Sequence, residues 1–124
     1  MVREDFQKLK NFAENLGYRV IDSDCDSWHH GSRIISNNSN RTPENRIIYL
    51  AHECGHAQVY ESHKLEYDEM FPGFKQGGKN YKVSELEQEV LAWNEGLSIL
   101  RGLGISFNMN KFSKIKTMCL RGYL

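Results

Sequence analysis

The chain has 124 residues, 40% of them hydrophobic and 26% charged, which suffices for one modest core and excludes a second sizeable domain. Sixteen Lys and Arg balance sixteen Asp and Glu, so no whole-chain charge asks for nucleic acid or an anionic membrane. No apolar run approaches a membrane span and Met1-Val2-Arg3-Glu4-Asp5 opens no signal-like stretch, so a cytosolic single domain over residues 1–124 is expected, with no nucleic-acid or membrane partner.

Phe6, Leu9, Phe12 and Leu16 recur at three- and four-residue spacing, which predicts an amphipathic helix over residues 3 to 16, ended by Gly17. Residues 18 to 22 and 32 to 36 alternate enough for two strands that can pair as a short antiparallel sheet. The polar stretch between them carries Asp24, Asp26, His29 and His30 without a diagnostic metal spacing, and reads as a solvated loop from which a His can reach a cleft. Thr42-Pro43-Glu44 is a helix start: a Thr cap, proline at the first helical position and an acid at the positive end of the dipole. Residues 61 to 82, with Pro72-Gly73 and Gly77-Gly78, predict an irregular loop in which Tyr67 or Tyr81 is a possible oxyanion donor and a surface tyrosine the ordinary reading. A second long helix is predicted from Ser84, which has capping-box spacing to Glu87, through Leu100. Residues 110 to 121 form a short amphipathic helix with a basic outer face. Cys25, Cys54 and Cys119 are too scattered for a disulfide framework and are expected as free thiols.

Leu50-Ala51-His52-Glu53-Cys54-Gly55-His56 spells H-E-x-x-H inside the first long helix. One turn apart, His52 and His56 share a helix face, and both imidazoles can reach a single zinc ion at about 2.0–2.1 Å. Glu53 then lies where a carboxylate can take a proton from a zinc-bound water, whose pKa the metal lowers to roughly 7. Ile47, Leu50, Cys54 and Ala57 line the opposite side, so both helix faces are expected to be buried, with Cys54 a small core residue. Such a site needs a third protein ligand. His63 is about 10 Å further along an unbroken helix, too far to share the ion, and reads as a surface residue. In the second long helix Leu86, Val90, Trp93, Leu97 and Leu100 make an apolar stripe with Glu89 at its edge, and a carboxylate there asks for a cationic or metal partner. Glu89 is the expected third ligand.

Two histidines on one helix and a glutamate on a later one resemble the gluzincin arrangement. More narrowly, the chain resembles the small ImmA/IrrE-type metallopeptidase-like domains of phages and mobile elements. The matching residues are Ile34-Ile35-Ser36, Pro43-Glu44 with Arg46, Leu50 through His56, and Glu87-Gln88-Glu89 with Ala92-Trp93, within residues 18 to 101. Two features depart from that pattern: Glu89-Val90-Leu91 stands where the family has E-A-N, and no helix-turn-helix domain accompanies the core. Substrate and regulation therefore do not carry over.

The resemblance implies an α+β, minigluzincin-like domain, its sheet packed on the H-E-x-x-H helix and on the Glu89 helix. It further implies that residues 33 to 36 border the cleft as an edge strand able to pair with an extended peptide. The expected activity is zinc-dependent hydrolysis of a protein or peptide substrate, with His52, His56 and Glu89 holding Zn2+ and Glu53 as general base. The alternative is a zinc-stabilised, non-catalytic binding module of the phage-regulator kind, and hydrolysis of a non-peptide bond ranks last.

Overall fold

Residues 2 to 124 are described by a computed structural model. The first helix, α1 (Val2–Asn15), buries Leu9 and Ala13 completely and stops at Gly17, whose φ of 93° lies in the left-handed region glycine enters freely. Three strands follow: β1 (Arg19–Ser23), β2 (Ser27–His29) and β3 (Ile34–Asn38). The long helices are α2 (Pro43–Ser62) and α5 (Gly78–Gly102), separated by the single turns α3 (Tyr67–Met70) and α4 (Gly73–Gln76). Last comes α6 (Met109–Arg121), whose first turn is capped by the Asn108 side chain accepting from the Lys111 amide at 3.0 Å. The described residues thus form an α+β fold of six helices and a small three-stranded sheet, and none of these helices is long and apolar enough to cross a membrane.

The sheet is mixed, not antiparallel. Its order is β1-β3-β2, with β1 parallel and β2 antiparallel to β3. The expected solvated loop contains β2, and this strand makes the return journey that lets β3 run in the same direction as β1. A direct hairpin between β1 and β3 would have forced them antiparallel. The Asp26 carboxylate anchors the path, accepting from the Asn38 amide at 2.9 Å, Arg41 Nε at 2.7 Å and Asn37 Nδ2 at 3.2 Å. Because β3 is central, residues 33 to 36 do not form an edge, and the edge facing the later helices is β2.

Around the fully buried Ile35 the core gathers Leu9, Val20, Ile48, Leu50, Cys54, Trp93, Leu100 and Phe112. The buried face of α5 is rotated from the expected stripe: Gln88, Glu89, Ala92, Trp93, Gly96, Ile99 and Leu100 are inside, while Leu86, Val90 and Leu97 are only half-buried. Helix α5 also begins six residues before Ser84. That serine caps nothing; its hydroxyl accepts from the Gly73 amide at 2.8 Å and ties α4 to α5. Thr42 does precede α2, with Pro43 at the first helical position, but its hydroxyl makes no capping bond.

Glycine controls the α2–α5 packing. A methyl group built on Gly55 would overlap the Ala92 carbonyl, and one built on Gly96 would stand 2.9 Å from the Ala51 carbonyl oxygen. The two helices therefore cross with almost nothing between their backbones, and α5 brings its polar side chains directly onto the histidine face of α2.

Candidate metal centre

His52, Glu53 and His56 are all buried, and each offers a ligand atom within 4.8 Å of the others. Among the described residues this is the group of His, Cys, Asp and Glu side chains that can hold a metal ion. Across the helix crossing, Glu89 is 7% exposed and faces both imidazoles, with Oε1 3.1 Å from His52 Nε2 and Oε2 2.7 Å from His56 Nε2. Glu53 meets His52 from the other edge of its ring, 3.4 Å from Nδ1.

Each imidazole also has an indole on its face. Trp93 stacks on His52 with ring centroids 4.1 Å apart and planes 9° from parallel, and Trp28 on His56 at 5.5 Å and 9°. The Gln88 amide meets His56 Nδ1 at 2.6 Å. An amide turned one way donates and turned the other accepts, so Gln88 can support either tautomer of this ring. Trp28 and Gln88 are site residues that the sequence reading left out. Trp28 was hidden in a polar stretch, although a lone large aromatic there was a usable signal.

Burial alone would raise the Glu89 carboxyl, but the hydrogen bonds and charges of His52 and His56 outweigh it and hold the group at about 2. Burial disfavours protonated His56, yet the Glu89 hydrogen bond and the Glu53 and Glu89 charges carry its pKa above the ordinary value. Burial pushes Glu53 up, against the pull of His56 and His52. Burial also pushes the Cys54 thiol far up, as befits a core residue lying against the Leu9 carbonyl.

A cavity of about 230 Å³ opens on this group and is lined by Ser27, Trp28, His52, Glu53, His56, Gln88, Glu89 and Tyr123. It adjoins a second of about 530 Å³ that shares His52, Glu53, Glu89 and Tyr123 and extends past Asp26, Arg41 and Cys119. The other histidines stand apart. His29 is exposed with Nε2 3.1 Å from the Ser27 hydroxyl, exposed His30 stacks on Tyr60 at 4.3 Å, and His63 ends α2 paired with Glu66 at 2.6 Å. Asp26 is spent on its hydrogen bonds, and Tyr67 packs between Tyr60 and Phe71 outside the lining of the cavity. The three cysteines are free.

The donor set fits a transition-metal cation. Two imidazole nitrogens and a carboxylate are ligands zinc accepts, and a buried group of this kind is costly without a cationic partner. Fold and site therefore define an α+β protein with a buried H-E-x-x-H group that can hold a metal ion. Compared with protein-family models, with curated proteins and with solved structures, the chain matches none.

Proposed function

We propose that the protein is a zinc-dependent hydrolase acting on peptide bonds, with His52, His56 and Glu89 as the metal ligands and Glu53 as the general base. One observation carries the reading: the carboxylate on the Nε2 side of both imidazoles is Glu89, while Glu53 lies on the opposite edge of His52 and still lines the cavity. That arrangement divides two buried carboxylates into one that can join a cation and one left for proton transfer. The resemblance to small gluzincin-type domains supports the same division.

A bound zinc ion would acidify water and polarise a carbonyl. The chain's own residues supply the rest. Trp93 and Trp28 fix the imidazole planes, and Gln88 sets the outer nitrogen of His56. Glu53, raised by burial, accepts the proton of the attacking water and later delivers it to the leaving amine nitrogen. Strand β2 is an edge whose Ser27 and Trp28 line the cavity, so an extended peptide can add to it beside the site. A protein or peptide is therefore the proposed substrate.

Elemental analysis of purified wild type, His52→Ala, Glu89→Ala and Glu53→Gln, with each protein incubated with a peptide library, tests the proposal. One zinc per chain is expected in wild type and Glu53→Gln, none in the other two, and cleavage in wild type alone. Zinc lost with Glu53→Gln would make Glu53 a ligand. Zinc kept in a wild type that cleaves nothing would favour the binding module.

A further inference from the structure

The two cavities that meet at the metal centre share one residue from the far end of the chain, Tyr123. Its placement follows from packing. Phe112 of α6 stands edge-on against Trp93 at 5.5 Å, and Trp93 is the indole stacked on His52, so α6 is seated on the metal centre itself. Beyond α6 the chain turns, with the Gly122 amide donating to the Cys119 carbonyl at 3.2 Å and the Tyr123 amide to the Leu120 carbonyl at 3.1 Å. This turn delivers Tyr123 to the lining of both cavities, which Glu89 also lines.

Two other polar side chains lining the smaller cavity, Ser27 and Gln88, are already engaged. The Ser27 hydroxyl is paired with His29 and the Gln88 amide with His56, while the Trp28 indole nitrogen is buried without a hydrogen-bond partner. Both Glu89 oxygens already face an imidazole, so that carboxylate does not depend on the Tyr123 phenol for a partner and the phenol can turn to a new acceptor in the cavity.

From this geometry we infer that Tyr123 is a catalytic residue that donates a hydrogen bond to the carbonyl oxygen of the substrate as negative charge develops on it. The inference rests on the hydrolytic reading above. As the water oxygen bonds to the carbonyl carbon, the C=O π pair moves onto the carbonyl oxygen and the water's proton passes to Glu53. The phenol keeps its own proton and holds that oxygen. When the pair returns, the C–N bond breaks and the proton on Glu53 goes to the amine nitrogen. Tyr67 and Tyr81, the tyrosines considered from sequence, do not line the cavity.

Inorganic phosphate, a tetrahedral oxyanion, serves as the probe. Wild type, Tyr123→Phe and Tyr81→Phe proteins are loaded with cobalt(II), their metal content is measured, and phosphate is titrated against the cobalt visible spectrum. Equal cobalt in all three is expected, with phosphate bound about 10- to 100-fold more weakly by Tyr123→Phe alone, the loss of one hydrogen bond to a charged group. Equal phosphate affinity in the three proteins, or none in wild type, would overturn the assignment and leave the metal centre standing. Cobalt lost from Tyr123→Phe would make the phenol a support for Glu89, which also overturns it. A wild type that takes up no cobalt would overturn the hydrolytic reading and this inference together.

Discussion

Each imidazole of the pair is held by its own set of outer contacts. His52 has Trp93 on its face and Glu53 at Nδ1; His56 has Trp28 on its face and Gln88 at Nδ1. Outer contacts of this kind set ring orientation and tautomer, and losing one typically weakens metal binding 10- to 100-fold. Gln88→Leu, which keeps volume but removes the partner of His56, is expected to weaken zinc binding by about that factor in a chelator competition, whereas Gln88→Glu retains an acceptor and holds affinity near wild type. The metal-free protein should also show a stability window. Glu89 is held at about 2 against an ordinary 4.5, so its contribution is present above pH 4.5 and lost as pH falls toward 2. His56 is raised above 6.5, so its contribution is present below pH 6.5 and lost as pH rises through the folded value. These are one interaction seen from its two partners. In chelator, the melting temperature is expected to be highest between about pH 4.5 and 6.5, and Glu89→Gln to flatten both limbs of the profile. A wild-type profile that rises steadily through pH 8 would contradict the pairing. Six residues in and around this pair differ in how openly the sequence displays them. His52, Glu53 and His56 form a local motif, and Glu89 followed from the cost of a carboxylate beside an apolar stripe. Gln88 and Trp28 have roles created only by the crossing of distant elements.

At the scale of elements, the crossing of α2 and α5 determines whether Glu89 reaches the histidines. Gly55, one of the two unspecified positions between the histidines, carries that crossing, because any side chain there meets the Ala92 carbonyl. Gly55→Ala is expected to cost on the order of 1–3 kcal/mol, the usual range for overpacking a close-packed interior, and to weaken zinc binding as the helices separate. Gly31→Ala, where nothing lies within 4 Å of the added methyl, is expected to be close to neutral in the same denaturant titration. Equal stability of the two variants would refute the tight crossing. Helix periodicity made α1, α2 and α6 readable to within a residue or two. The early start of α5 was hidden because Gly77-Gly78 reads as a break, whereas Gly78 takes a φ of 62° at the helix entry and the helix runs on. Strand β2 was hidden because three residues carry no period, and only its pairing with β3 makes it a strand. With β2 unseen, the sheet direction followed wrongly.

Across the whole molecule, the proposed ligands come from two helices, with His52 and Glu89 37 positions apart in sequence, and the indoles and phenol that surround them come from β2, α5 and the turn beyond α6. An unfolded chain cannot present these groups together, so a cation binding here binds the folded state and stabilises it by linkage. Zinc at a hundred times its dissociation constant adds about 2.7 kcal/mol by mass action, which in a chain of this size raises the melting temperature on the order of 10 °C. His52→Ala and Glu89→Ala are expected to lose this zinc-dependent rise, while Glu53→Gln keeps it, because only the first two remove a proposed ligand. Magnesium at the same concentration is expected to give no rise, since it demands octahedral oxygen ligands and holds its water. Thermal scans of the four proteins with chelator, zinc or magnesium separate the possibilities. A full zinc shift in Glu89→Ala would take the third ligand away from α5, and the close crossing at Gly55 would then serve packing alone.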